Sequence, residues 1–118
     1  MKLVYFNIKG LAETSRLLFT LADVSYEDYR YPLEVIDMKT FTMKKKEFDK
    51  DKLEGKLVKS LNKLPYLEVD NEIIPQSKAI ERYLAKRFNM MGNNLLEEAK
   101  IDSICECVRD IKDAYQKI

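Results

Sequence analysis

Tyr5 sits at the C-terminal end of the first strand pattern, one residue before a turn. A phenol there can point into a cleft beside the helix that follows. Thiols ionise near pH ~8.5 and phenols near ~10, so a tyrosine O–H can hydrogen-bond a thiolate without first giving up its proton. Such a bond favours the ionised sulfur and makes it a better nucleophile near neutral pH. A second constellation lies between Leu64 and Ser77. Proline at position 65, opening a strand, removes a ladder donor and tolerates a cis peptide, which lets the backbone of Leu64 turn outward toward a bound peptide. Asp70-Asn71 closes a hairpin. Gln76 and Ser77 follow, with Ser77 expected to cap a helix beginning at Lys78, where free N–H groups and the positive dipole end favour a carboxylate. Together these residues describe a site for the acidic end of a small peptide.

Other chemistries find little support. The chain has no histidine to complete a zinc or nucleophile site. Its two cysteines, Cys105 and Cys107, lie two apart in a helical pattern and point to different sides, which favours neither a disulfide nor a shared metal. No C-x-x-C follows the first strand, against a thioredoxin-type redox role.

The elements that must hold these residues follow from hydrophobic period. Lys2 to Tyr5 reads as a buried strand and Asn7 to Gly10 as a turn. A helix is expected from about Ala12 to Asp23, with Thr14, Leu17, Leu18 and Leu21 at i, i+3, i+4 and i+7 forming its apolar stripe. Tyr26 to Tyr31 reads as a second strand, parallel to the first through a right-handed crossover. Pro32 to Lys63 is lysine-rich and weakly patterned, and is expected to hold a helix with extra loop. A hairpin spans Tyr66 to Ile74, and the Ser77 helix runs to about Phe88. The order β-α-β-α-β-β-α describes an α/β, thioredoxin-like domain over residues 1–91. Gly92-Asn93-Asn94 then opens a linker, and residues 92–118 carry one helix whose stripe of Ile101, Ile104, Val108, Ile111, Tyr115 and Ile118 asks for a partner.

At 118 residues the chain fits one core-forming domain, and its formal charge of +1 gives no case for nucleic acid or for an anionic membrane surface. Lys44-Lys45-Lys46 reads as a solvated face among acids. No apolar run reaches membrane-spanning length, and Met1 leads directly into the strand pattern without a signal peptide; a reducing, cytoplasmic setting is the expectation.

Three blocks in order, Val4 to Glu13, Leu64 to Asp70 and Pro75 to Leu84, resemble the glutathione-binding half of the glutathione S-transferases, nearest the tyrosine-type sigma and alpha classes. The resemblance covers essentially the whole chain and implies a transferase that conjugates glutathione, as co-substrate and with no further cofactor, to hydrophobic electrophiles. It implies that Tyr5 stabilises the glutathione thiolate, that Gln76 and Ser77 hold the γ-glutamyl end, and that Leu64 offers backbone hydrogen bonds to the cysteinyl unit. Lys63 and Lys52 are implied near the glycyl carboxylate, with Phe48 and Lys52 keeping the spacing of a Trp/Lys pair in relatives. Asp110 aligns with an acid that reaches across a homo- or heterodimer to the partner's glutathione. Leu11 stands where sigma-type relatives have an arginine near the thiol, a departure that removes a positive charge. Relatives continue into an all-helical second domain, of which this chain holds the first helix. Because that domain walls most of the electrophile site, the competing reading is a non-catalytic module that binds glutathione or a partner subunit.

Overall fold

The structure is a computed structural model that describes residues 1–116. Its main sheet has four strands in the order β2-β1-β5-β6. β1 (Lys2–Phe6) is central, which explains why its middle residues are buried regardless of which face they point to. β2 (Glu27–Tyr31) runs parallel to it, with Lys2 opposite Glu27 and Phe6 opposite Tyr31. β5 (Tyr66–Val69) and β6 (Glu72–Pro75) complete the sheet as an antiparallel hairpin. This is the thioredoxin-like arrangement expected from the sequence.

The crossover from β1 to β2 passes through a 3-10 turn at Gly10–Ala12 and α1 (Glu13–Leu21). Its inward face differs from the expected one. Leu17 and Leu21 are 52% and 73% exposed, and the buried row is Ala12, Ser15, Arg16 and Phe19. Both rows keep the same i, i+3, i+4, i+7 spacing, so periodicity gives the helix but not its phase. Two contacts set that phase: Phe19 stacks on Tyr26 at 4.0 Å, and the Arg16 guanidinium reaches the carbonyls of Phe6 and Ile8.

The segment from Pro32 to Lys63 holds the expected helix, α2 (Lys46–Leu53), but also a separate two-stranded hairpin of β3 (Glu34–Asp37) and β4 (Thr42–Lys44). α2 packs on the sheet through Phe48, which shares a buried cluster with Val4, Tyr31 and Leu57. The Phe48 ring meets Phe6 edge-on at 5.0 Å. Two phenols fasten the same helix: Tyr31 donates to Asp51 Oδ2 at 2.6 Å, and Tyr29 donates to Glu47. The bond from Tyr31, helped by Lys56, holds the Asp51 carboxyl below its ordinary range. In return the Tyr29 phenol is pushed up to about 12, chiefly by its bond to Glu47. Burial and then the bond to Asp51 push Tyr31 up as well.

Chain contacts divide the molecule into two units, Met1–Leu84 and the residues from Ala85 onward. α3 (Ser77–Arg87) belongs mainly to the first and buries Ile80 and Leu84 one turn apart. α4 (Leu95–Gln116) forms the second and buries none of its residues. Asn94 caps it by accepting the Glu97 N–H at 2.9 Å, while Glu97 accepts the Asn93 N–H, so both side chains satisfy donors at the helix start. Along α4, Ile104, Val108, Ile111 and Tyr115 are exposed and Ile101 is half-buried; Ile118 lies outside the described residues.

Candidate functional site

Register brings the chemistry to one end of the main sheet. Val4, Tyr66 and Pro75 lie in a row across β1, β5 and β6. One residue beyond that row come Tyr5, Pro65 and Gln76, and beyond these Phe6, Leu64 and Ser77. The Leu64-Pro65 peptide bond is cis, as expected. Gln76 rather than Ser77 occupies the cap position of α3, because its carbonyl accepts the Ile80 N–H at 3.0 Å. Ser77 is therefore the first helical residue, and its N–H is among those left without an intrahelical acceptor. Gln76 holds φ +76°, a left-handed conformation unusual for a residue with a side chain. Such strain concentrates where geometry serves binding.

Tyr5 is buried at the end of β1 with its hydroxyl turned to the following turn. The Leu11 N–H donates to Tyr5 Oη at 3.2 Å. That bond occupies a lone pair of the phenol oxygen and leaves its proton for an external acceptor; accepting a hydrogen bond also polarises the O–H toward donation. Gly10 makes the approach possible. A Cβ there would fall 2.5 Å from Tyr5 Oη, and the residue holds φ +40°.

Arg16 fixes this turn from beneath. Its Nη1 donates to Ile8 O at 2.7 Å and its Nη2 to Phe6 O at 3.3 Å. Nε donates to Asp28 at 3.3 Å, and Glu13 also lies 3.3 Å from Nη1. The guanidinium carbon sits 5.9 Å from the centre of the Tyr5 ring. A buried arginine hydrogen-bonded in this way orders the carbonyls it binds, and through them the Leu11 N–H. Leu11 is exposed, so where its side chain departs from the sigma pattern its backbone still serves the phenol. Sequence reasoning missed both contributions. Arg16 left a signal, the one basic residue in the helix, whereas a backbone donor leaves none.

The remaining sequence-derived residues are placed as follows. Lys63 is exposed immediately before Leu64, at the same sheet end, and its N–H donates to Ser60 O. Lys52 is exposed on α2, and Phe48, its partner in the spacing argument, is buried in the core. Asp110 is exposed on α4 in the second unit. Lys45, read from the sequence as part of a solvated face, holds its ammonium 5.1 Å and 5.9 Å from the ring centres of Phe48 and Phe6.

Comparison with known proteins agrees with this geometry. Residues 1–86 match the family described as Glutathione S-transferase, N-terminal domain. Glutathione S-transferase 1 of Ascaris suum is 39% identical over 109 residues, 92% of this chain and 45% of that protein. S-crystallin 2 of Octopus vulgaris is 38% identical over 97% of this chain and 46% of that one. The crystal structure of monomeric Na-GST-3, a glutathione S-transferase of the hookworm Necator americanus, superposes with a TM-score of 0.77 at 37% identity, covering 95% of this chain and 47% of that one. The chain thus spans about half the length of the relatives it matches. With most of its length matched by the family's N-terminal domain and its sheet end built on the tyrosine, cis-proline and Gln-Ser elements, the chain belongs to the glutathione S-transferase family.

Proposed function

We propose that the chain is the glutathione-binding part of a transferase that conjugates reduced glutathione to hydrophobic electrophiles. The observation that carries this reading is the Leu11 N–H on Tyr5 Oη at 3.2 Å, which leaves the phenol proton free to bond a thiolate. In the proposed step the thiol proton leaves to solvent, Tyr5 donates to the sulfur anion, and the sulfur attacks the electrophile. Gln76 and Ser77 hold the γ-glutamyl end, the Leu64 backbone pairs with the cysteinyl unit, and Lys63 and Lys52 face the glycyl carboxylate. Asp110 serves the glutathione of a partner subunit in a dimer, in a cytoplasmic setting. Glutathione is the co-substrate, and the reaction calls for no metal or other cofactor.

The test is Tyr5→Phe, which keeps the ring and deletes the donor. Conjugation should fall by about 10²–10³ while glutathione affinity is largely kept, since a single preorganised donor to a developing anion is worth that much in rate. The bound thiol should also titrate at higher pH. A parental rate with an unmoved thiol titration would make the phenol structural. The second reading is a glutathione-binding or subunit-interaction module without catalysis, for which the exposed α4 row of Ile104, Val108, Ile111 and Tyr115 would be the subunit surface. It predicts binding without turnover in the parent chain.

A further inference from the structure

The β3–β4 hairpin is not used by the site described above, and its composition is unlike the rest of the surface. Every residue from Glu34 to Lys46 is exposed. Five of them are large and apolar, Val35, Ile36, Met38, Phe41 and Met43, with Met38 and Phe41 at 69% and 74% exposure near the tip. Val35 faces Met43 across the strands, which puts both on one side of the ribbon. A soluble surface carries such residues singly; five in nine positions of one hairpin form a patch of the kind that marks an interaction site.

Charge identifies the partner. From Met38 to Lys46 the chain has Lys39, Lys44, Lys45 and Lys46 and no acid, although the whole protein nets only +1. None of these lysines makes an ion pair among the described residues. The acids that flank the run are already engaged: Asp37 Oδ1 accepts the Lys39 N–H at 2.8 Å, and Glu47 accepts the Tyr29 phenol. Lys45 rests its ammonium over the Phe48 and Phe6 rings. Aromatic and apolar tips beside lysines that can extend to phosphate and carboxylate groups are the combination that suits the boundary between lipid headgroups and acyl chains. We propose that the β3–β4 hairpin docks the protein on anionic phospholipid surfaces, with Met38 and Phe41 inserted among the headgroups and the four lysines paired to lipid charge. This is peripheral binding; no helix among the described residues is long and apolar enough to cross a membrane. It amends the expectation that the low net charge leaves no case for an anionic membrane, because the charge is concentrated rather than spread.

The experiment is sedimentation of the purified chain with phosphatidylcholine vesicles, with and without phosphatidylserine. Binding should require phosphatidylserine and fall as salt is raised. Each lysine near an anionic surface contributes about fivefold in partition, so Lys39→Gln with Lys44→Gln should lower binding about 30-fold. Met38→Ser with Phe41→Ser should also release the protein, while its thermal transition stays put because both side chains are exposed. The chain has no tryptophan, so Phe41→Trp supplies a single indole whose fluorescence, excited selectively over the tyrosines, should shift to the blue on phosphatidylserine vesicles, and Leu21→Trp, on the exposed side of α1, should not. Equal binding to both vesicle types, hairpin variants that sediment like the parent, or an unmoved Phe41→Trp spectrum would each overturn the proposal. Binding to polyglutamate with none to vesicles would also overturn it and assign the hairpin to an acidic protein.

Discussion

The phenol of Tyr5 is positioned by atoms that no side-chain motif records: one backbone N–H, one glycine without a Cβ, and an arginine buried under the turn. Gly10→Ala tests the closest of these. Its Cβ would meet Tyr5 Oη at 2.5 Å in a residue already at φ +40°, so the phenol must move or the turn must open. Strain and overpacking together should cost about 1–3 kcal/mol of stability, read from the denaturant midpoint, with conjugation falling further than stability alone explains. Gly55→Ala is the control, since φ is +78° there but the space around it is empty; its cost should be strain only, without effect on the phenol. Ser15 tests the opposite sign. Its hydroxyl is buried without a hydrogen-bond partner, and alanine is also the better helix former. Ser15→Ala should therefore raise stability by about 1 kcal/mol, the low end of what an unsatisfied buried polar group costs. A loss instead would mean that the hydroxyl has a partner in solution.

At the scale of elements, α2 is held to the sheet by Phe48 and by the phenols of Tyr29 and Tyr31. The linked pKa shifts give this attachment a pH signature at both extremes. Asp51 titrates below its ordinary value, so its contribution is present above the unfolded carboxylate pKa of ~3.9 and is lost as pH falls through the lower folded value. Tyr29 and Tyr31 are raised, so theirs is full below the unfolded ~10 and is lost as pH rises through the folded values, about 12 for Tyr29. Phenolate absorbance should accordingly rise in two steps on alkaline titration, and the late step, to which burial also assigns Tyr26 and Tyr66, should shrink in a Tyr29→Phe, Tyr31→Phe variant. A single step at the ordinary pH would contradict the attachment. Strands β1, β2, β5 and β6 were legible because apolar and aromatic runs sit between turn residues, and Asp70-Asn71 takes the positive φ its hairpin needs. The β3–β4 hairpin was not legible, because its turn has no glycine and Phe41 itself adopts φ +53°. The phase of α1 was hidden by two rows of equal spacing. The Leu64-Pro65 and Gln76-Ser77 pairs could be read from type and order, whereas the cap fell to Gln76 because its strained backbone places the carbonyl one residue earlier than a serine cap would.

For the molecule as a whole, the exposed row of Ile104, Val108, Ile111 and Tyr115 on α4 is the feature most at odds with an isolated chain in water. These residues alternate spacings of four and three, the period with which helices seal a seam against one another. The chain should therefore self-associate, and sedimentation should show its mean mass rising with concentration. Burying an isoleucine is worth roughly 1.5–3 kcal/mol, so Ile104→Glu with Ile111→Glu should weaken association by at least about 100-fold while leaving the Met1–Leu84 unit folded. The hairpin gives the discriminating control, because Phe41 is the most exposed of its large apolar side chains. If α4 is responsible, Phe41→Ser sediments like the parent. If association instead disappears with Phe41→Ser and survives the α4 substitutions, the hairpin is the self-association surface, and the stripe on α4 has no part in it. A chain that stays monomeric at every concentration would remove both surfaces from self-association, and with them the dimer through which Asp110 is proposed to act.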